Sequence, residues 1–238
     1  MFIEAALNGS RSKADHPNIP ITTEELVVAA KNAVLAGAGA IHFHVRDHNG
    51  KETLEAAFVN EQVKAVKAAV PDIPVGISTG AWMEPDISKR LELIRQWEIL
   101  PNFVSVNGHE PGFEQVVQAI LEKQIGVEAG LNSAQALENF ISRDLLKECF
   151  RLLIEPEEQE QHAALATVKA IEDKLTDKLP HQTVVLHGVD NTCWELLEVA
   201  KYKGYDLRIG FEDTLHDPSG AVAESNEALI KAAFHQSA

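Results

Sequence analysis

The sequence predicts a (β/α)₈ barrel, and two observations carry that prediction. Eight short β-rich segments alternate with longer helical segments over the 238 residues, which leaves about 30 residues for each strand–helix unit. Strands that alternate with helices run parallel, because each connection back to the start of the sheet is itself a helix. Eight such units close most simply into a barrel, so we expect one α/β domain over residues 1–238.

Each predicted strand is a short apolar, β-rich run bounded by polar, glycine or proline residues. The eight strands are predicted at Ile3–Leu7, Ala40–His44, Val75–Ser78, Phe103–Val106, Gly126–Ala129, Arg151–Ile154, Thr183–His187 and Leu207–Gly210. A doubly wound open sheet has the same alternation of elements and is the main rival architecture. No G-x-G-x-x-G follows the first strand, and we therefore favour the barrel.

Capping residues predict where several helices begin and end. Thr22 and Glu25 match a capping box for the first helix, which should stop at Gly37. The helix that follows the seventh strand should end at Gly204. A mostly polar helix is predicted over Glu157–Lys178, at the surface.

Composition narrows the classes of function. The net charge of −15 argues against nucleic-acid binding, which needs a basic surface. No apolar run is long enough to cross a bilayer, and residues 1–4 lack the features of a signal peptide. Only two cysteines occur, Cys149 and Cys193, and neither lies in a C-x-x-C pair. We expect a cytoplasmic protein that contacts neither nucleic acid nor membrane.

Polar residues follow the predicted strands at their carboxyl ends. A barrel brings all these ends together at one mouth, where the chemistry of such folds takes place. Apart from the residues discussed next, the candidates at these strand ends are Asn8, Arg46, Asp47, Ser78, Thr79, Ser105, Asn107, Glu128, Glu155 and His187. Their convergence predicts a polar pocket.

The His42-x-His44 pair is the most specific feature of the chain. Side chains alternate along a strand, so both imidazoles face the same way and can share one metal. Glu212 ends the last strand, which a barrel returns to the side of the first, and it supplies a third ligand. Two histidines and a carboxylate leave open positions for substrate. We expect zinc by default, although manganese, iron, cobalt and nickel also accept these ligands.

Arg208 requires a negative partner if it faces the barrel interior, because an unpaired buried charge is costly. Asp213, Asp47 or a substrate carboxylate can supply that charge. The serine and asparagine side chains of strands three and four offer neutral hydrogen bonds to a carboxylate or carbonyl oxygen. Each of them alone is more often a turn or cap residue.

Taken together, these motifs resemble the β-keto acid cleavage enzymes, the family of 3-keto-5-aminohexanoate cleavage enzyme. The resemblance runs from end to end of the chain. It rests on Asn8-Gly9, on Pro20-Ile21-Thr22-Thr23-Glu24-Glu25, on His42-Phe43-His44-Val45-Arg46-Asp47, on Ser78-Thr79-Gly80 and on Arg208-Ile209-Gly210-Phe211-Glu212-Asp213-Thr214-Leu215. The pairing of H-x-H-x-R-D with R-x-G-x-E-D is its most specific part.

The resemblance implies a zinc-dependent homo-oligomer, expected as a tetramer, that uses acetyl-CoA as co-substrate. Such an enzyme cleaves a small-molecule β-keto acid and yields acetoacetate and a new CoA thioester. By the same resemblance His42, His44 and Glu212 are metal ligands, and Arg208 and Asp213 form the deprotonating dyad. The implied substrate contacts are Ser78, Thr79, Ser105 and Asn107, with Glu128 as a carboxylate on strand five.

Two other functions remain open at this level. The same barrel could carry a metal-dependent hydrolase or an aldolase-type lyase that needs no CoA. An amidohydrolase normally has H-x-H on its first strand, whereas here it lies on the second. A non-catalytic, metal-dependent barrel that binds a small acid is the third reading.

Overall fold

A closed barrel of eight parallel strands forms the centre of the molecule and confirms the predicted fold class. This computed structural model describes residues 2–175 and 183–235, within which the strands pair in chain order and β1 pairs with β8. The strands are β1 (Ile3–Ala6), β2 (Ala40–Phe43), β3 (Val75–Ser78), β4 (Phe103–Asn107), β5 (Gly126–Leu131), β6 (Arg151–Ile154), β7 (Thr183–Leu186) and β8 (Asp206–Ile209). Pairing of Ile3 with Leu207 closes the ring, which excludes the open sheet.

An α-helix follows each strand and covers the barrel from outside. The helices in the described residues are α1 (Thr23–Leu35), α2 (Ala56–Ala69), α3 (Ile87–Arg95), α4 (Phe113–Glu122), α5 (Ala134–Ser142), α6 (Gln161–Leu175), α7 (Cys193–Lys203) and α8 (Asn226–His235). None of them combines the length and the apolarity that a bilayer-spanning helix needs.

The predicted helix ends follow from capping chemistry. Thr22 and Glu25 form the expected capping box at the start of α1, and Gly204 ends α7 in the left-handed region at φ 72°. The start of α6 was predicted wrongly at Glu157. The helix begins at Gln161, where the Glu160 carboxylate accepts a hydrogen bond from the backbone N–H of Ala163. The predicted end of this helix, residues 176–178, lies outside the described residues.

Alternation along each strand separates an apolar outer layer from a polar interior. On β2 and the residues after it, Ile41, Phe43 and Val45 are fully buried in the hydrophobic core that the barrel shares with its helices. His42 and His44 occupy the alternate positions and therefore face the barrel interior. The same alternation on the other strands turns polar and charged side chains inward.

The barrel floor is held by a buried group of charges. Arg151 donates to Glu4 and, at 2.5 Å from its Nε, to Glu128, and all three side chains are buried. The guanidinium also lies over the ring of Phe103, 4.6 Å from its centroid. Burial favours the neutral form of Glu4 and raises its pKa to about 7 even though Arg151 opposes the shift. The floor is therefore an ionic network rather than the usual apolar packing, and one oxygen each of Glu4 and Glu128 has no hydrogen-bond partner among the described residues.

We predict that Arg151→Met strongly destabilises the fold. The substitution keeps apolar bulk beside Phe103 but leaves two buried carboxylates without their cation, which should cost about 3–5 kcal/mol. Urea unfolding followed by circular dichroism measures the loss. Arg143→Met is the matched control, because Arg143 pairs with Glu114 at the surface and exposed pairs contribute little. Equal unfolding midpoints for the two variants would contradict the assignment.

Candidate metal centre

The polar strand ends meet at one mouth of the barrel. Ser78 and Ser105 are directly paired neighbours on β3 and β4, and Asn107 pairs with Gly130 of β5. Because residue 130 has no side chain, the space beside it accommodates the Asn107 Oδ1 and Glu155 Oε1 atoms. Side chains from β4 and from the end of β6 therefore share the space beside Gly130.

His42, His44 and Glu212 converge at this mouth. His42 Nε2 lies 3.7 Å from Glu212 Oε2, and His44 Nε2 lies 3.3 Å from Glu212 Oε1. One ligand atom of each of the three residues lies within 4.8 Å of the other two. The convergence follows from closure of the barrel, since β1 lies between β2 and β8. One cation can contact all three side chains.

The donor set fits a divalent metal. Both ring nitrogens of His42 and the Oε2 atom of Glu212 are buried and have no hydrogen-bond partner among the described residues. Buried polar atoms are normally satisfied, so these atoms indicate a missing partner. Burial holds the pKa of His42 well below its usual value, although Glu212 opposes the shift. His42 is therefore neutral, the form in which imidazole binds metals.

Among the described residues, a second group has similar spacing and is fully buried. It consists of Glu4, His42 and Glu128. Arg151 already hydrogen-bonds to both of its carboxylates. A divalent cation there would have to compete with the guanidinium. The mouth is therefore the better metal site.

The loop after β1 holds two of the three candidate ligands in place. Asn8 accepts a hydrogen bond from the His44 backbone N–H at 2.8 Å and donates to the His44 carbonyl at 3.0 Å. Gly9 has φ 53°, and a side chain at this position would overlap the side chain of Glu212. The Asn8-Gly9 pair thus clamps one histidine and leaves room for the carboxylate.

Arg208 pairs with two acidic residues that follow β8. Its Nη2 atom lies 2.5 Å from Glu212 Oε1 and 2.8 Å from Asp213 Oδ1. Burial favours the neutral form of Glu212, but Arg208 and His44 outweigh burial and hold the pKa of this carboxyl well below its usual range. Of the partners expected for Arg208, Asp213 is present and Asp47 is not among its contacts.

His187 extends this ionic network away from the candidate metal site. Its Nδ1 atom lies 3.2 Å from Asp213 Oδ1, and its Nε2 atom lies 3.5 Å from Glu155 Oε2. Burial and the nearby Arg208 lower the pKa of His187, but Asp213 and Glu155 outweigh them and raise it to about 9. The imidazolium is therefore the form that bridges the two carboxylates.

The candidate substrate contacts divide into residues that face the mouth and residues already engaged elsewhere. Ser78 and Ser105 are buried at the mouth. Asn107 donates from Nδ2 to Glu110 at 2.9 Å, which leaves its Oδ1 atom near Gly130. Thr79 Oγ1 donates to the Ser105 carbonyl at 2.7 Å, so this hydroxyl supports the sheet.

Three further candidates lie in the surrounding structure rather than at the open mouth. Glu128 is buried in the barrel floor with Arg151. Arg46 donates to the carbonyls of Gly9 and, at 3.1 Å, Arg11, and so ties the loops after β1 and β2 together. Asp47 accepts from backbone N–H groups in its own turn.

Sequence reasoning missed Glu52, which lies nearer to the ring nitrogens of His44 than Glu212 does. Glu52 Oε1 lies 2.5 Å from His44 Nδ1. Burial favours the neutral form of Glu52, but His44, Trp82 and Arg46 outweigh it and lower the pKa of the carboxyl. The signal available in the sequence was the turn Asp47-His48-Asn49-Gly50, which brings residue 52 back beside the strand.

Comparison with known proteins gives matches along the whole chain. A family model described as beta-keto acid cleavage enzyme matches residues 1–237. A 3-keto-5-aminohexanoate cleavage enzyme from Acetoanaerobium sticklandii is 39% identical over 93 residues, which cover 39% of this chain and 34% of that protein. A 3-oxoadipate:acetyl-CoA acetyltransferase from Cupriavidus necator is 33% identical over 80 residues, which cover 33% of this chain and 28% of that protein.

Among solved structures, a ternary complex of ObcA with a C4-CoA adduct and oxalate has a similar fold. The TM-score is 0.74 at 16% sequence identity, and the match covers 92% of this chain and 64% of the ObcA chain. At this identity the likeness concerns the fold alone. The chain spans less than two thirds of the length of the ObcA chain. The alignment with the A. sticklandii enzyme covers about a third of that protein.

We predict that Gly9→Ala weakens metal binding. The added methyl group meets the Glu212 side chain, and the backbone at φ 53° disfavours alanine. The apparent Kd for zinc, measured by competition with a chromophoric chelator, should rise by about tenfold or more. Gly220→Ala is the matched control, because Gly220 has φ 84° but nothing lies within 4 Å of the added atom. Equal zinc affinity of the two variants would show that the space Gly9 leaves for the Glu212 side chain is not needed for metal binding.

Proposed function

The chain belongs to the beta-keto acid cleavage enzyme family, and from that premise we propose that it cleaves a β-keto acid in a reaction with acetyl-CoA. The products are acetoacetate and a new acyl-CoA. The observation that carries the proposal is the convergence of His42, His44 and Glu212 beside the Arg208–Asp213 pair. This geometry joins a candidate metal site to a candidate base at one mouth of the barrel.

The use of acetyl-CoA is supported by two of the similar proteins. The name of the C. necator relative includes acetyl-CoA, and the ObcA structure contains a CoA adduct. On this basis we include acetyl-CoA as the co-substrate in the proposed reaction. The homo-oligomer, expected as a tetramer, and the cytoplasmic location remain predictions as well.

We assign the metal to His42, His44 and Glu212, with zinc as the expected ion. A divalent cation held there supplies Lewis-acid polarisation to a bound carbonyl group. The chain contributes two imidazoles and one carboxylate, a ligand set that would leave coordination positions of such a cation open for substrate oxygens. Glu212 stays ionised for this role, because the charge of Arg208 is the largest of the influences that hold its pKa well below its usual range against the effect of burial.

Asp213 is the proposed base. Its Oδ1 atom is engaged by Arg208 and lies near His187, whereas its buried Oδ2 atom has no partner among the described residues. Oδ2 is therefore the atom available to accept a proton from carbon next to a carbonyl group. Arg208 orients the carboxylate, and His187 lies near the same oxygen and balances part of its charge.

The substrate carboxylate is assigned to the hydroxyl groups of Ser78 and Ser105 and to the second N–H of the Asn107 amide, whose other N–H donates to Glu110. These side chains line the mouth on β3 and β4, across the barrel from β8. Hydroxyl and amide groups bind an anion without adding a further cation to a mouth that already holds Arg208 and His187. The arrangement places the acid group of a substrate opposite the proposed base.

We predict that metal-loaded protein forms acetoacetate when it is incubated with acetyl-CoA and a panel of β-keto acids. Asp213→Asn should bind metal normally and lose about 10²–10⁴-fold in turnover, because only proton transfer is removed. Product is followed by chromatography and metal content by elemental analysis. Asp144→Asn serves as control, since this exposed aspartate has φ 58°, a conformation that asparagine also adopts.

Three outcomes would overturn parts of the proposal. Turnover of Asp213→Asn within about threefold of the parent excludes Asp213 as the base. Loss of metal from Asp213→Asn would show that its role is structural. Cleavage of a β-keto acid without any CoA thioester would favour a metal-dependent lyase or hydrolase instead.

A further inference from the structure

We propose that Glu52 is a positioning residue for the metal ligand His44 and that it connects this ligand to Trp82 at the barrel mouth. The inference rests on the proposed metal site. It assigns a role to a residue that contacts neither the candidate metal position nor the proposed base. A local turn brings Glu52 back to β2, and its carboxylate contacts His44 there.

A small hairpin places Glu52 beside His44. After β2 the chain turns at residues 47–50, where Asp47 Oδ1 accepts from the backbone N–H groups of Asn49 and Lys51. Gly50 has φ 77°, a conformation that suits glycine in a tight turn. The returning segment forms an antiparallel bridge between Arg46 and Glu52. Asp47 therefore acts on the site indirectly, by building the turn that carries Glu52.

Helix α2 and the loop after β1 hold the hairpin in place. Gln62 of α2 accepts from the Arg46 N–H at 3.1 Å and donates to the Arg46 carbonyl at 2.7 Å. The Arg46 guanidinium donates to the carbonyls of Gly9 and, at 3.3 Å, Gly50. These contacts join the hairpin to two separate elements, helix α2 and the loop after β1. The backbone that presents Glu52 is thus well defined.

One oxygen of Glu52 contacts hydrogen-bond donors from three loops. Oε1 lies 2.5 Å from His44 Nδ1 and accepts from Trp82 Nε1 at 3.0 Å and from Ser10 Oγ at 3.2 Å. The Glu52 side chain is 13% exposed and that of His44 only 5%. The second oxygen lies 4.0 Å from Arg46 Nη1. The carboxylate therefore links the loops after β1, β2 and β3 next to the candidate metal site.

These contacts determine how His44 meets the metal. A carboxylate at Nδ1 keeps the ring proton on that nitrogen, which leaves Nε2, the atom that faces Glu212, as the free donor. A carboxylate behind a histidine ligand also fixes the ring orientation and increases its donor strength. His42 has no such partner, since neither of its ring nitrogens is hydrogen-bonded among the described residues. Glu52 thus supports one of the two imidazoles.

The test is the zinc affinity of Glu52 variants, measured by competition with a chromophoric chelator. Glu52→Gln removes the charge and should raise the Kd about tenfold, and Glu52→Ala also removes the acceptor and should raise it by up to about 100-fold. Glu55→Gln makes the same charge change three residues away, on a side chain that forms no capping bond to α2, and should bind zinc like the parent. Circular dichroism of the metal-free variants checks that each has folded.

A spectroscopic signal separates positioning from general stability. The visible absorption of cobalt-loaded Glu52→Gln should differ from that of the parent, because the orientation of one imidazole ligand changes. Zinc should also alter the fluorescence of Trp82, whose ring lies 5.9 Å from that of His44. Trp82→Phe should lose that change while Trp97 and Trp194 still emit, since their indole groups bond to Leu54 and His216 elsewhere.

The outcomes distinguish this inference from the proposed function. If the parent binds no divalent metal, the proposed metal site fails first and the role of Glu52 fails with it. If the parent binds zinc and Glu52→Gln binds it equally well with an unchanged cobalt spectrum, only the inference about Glu52 is overturned. If zinc leaves the fluorescence of the parent protein unchanged, the claim that Glu52 connects the metal site to Trp82 is overturned.

Discussion

Pairing of β8 with β1 is the constraint on which the site depends. The hydrogen bonds that join residues 3–5 to residues 207–209 close the barrel and leave only one strand between the histidines and Glu212. Residues separated by some 170 positions in the sequence thereby become neighbours. An open sheet made of the same segments would leave β1 and β8 unpaired. The candidate chemistry therefore follows from closure, more than from any local conformation.

Closure also concentrates buried charged groups at the mouth, and neighbouring groups there alternate in sign. The groups at the mouth follow one another as Glu52, His44, Glu212, Arg208, Asp213, His187 and Glu155. In the metal-free protein each group has a neighbour of the opposite sign when the histidines at positions 44 and 187 are protonated, and a cation bound to His44 Nε2 would take the place of the proton on that nitrogen. Their pKa values of about 9 result from these carboxylates, because burial alone lowers the pKa of a histidine. His42 lies outside this alternation, stays neutral and keeps both nitrogens unpaired, as expected of a metal ligand.

Much of the fold could be predicted from the sequence, because its signals are local. The predicted ranges of β3 and β6 agree with the structure, and the ends of α1 and α7 follow from capping residues. The convergence of His42, His44 and Glu212 could also be predicted, since alternation and closure suffice to bring them together. Glu52 escaped prediction because its position depends on how a turn folds back. Glu4 and Arg151 escaped because they form a pair only across the barrel, 147 positions apart in the sequence.

The most direct test of the account is X-ray absorption spectroscopy of the zinc-loaded protein in solution. We expect nitrogen and oxygen scatterers only, at about 2.0–2.2 Å from the metal, with the outer-shell pattern of two imidazole rings. In His42→Ala that pattern should fall to one ring or the metal should be lost. A sulfur scatterer at about 2.3 Å, which would implicate Cys149 or Cys193, contradicts the proposed centre. So does a spectrum without imidazole.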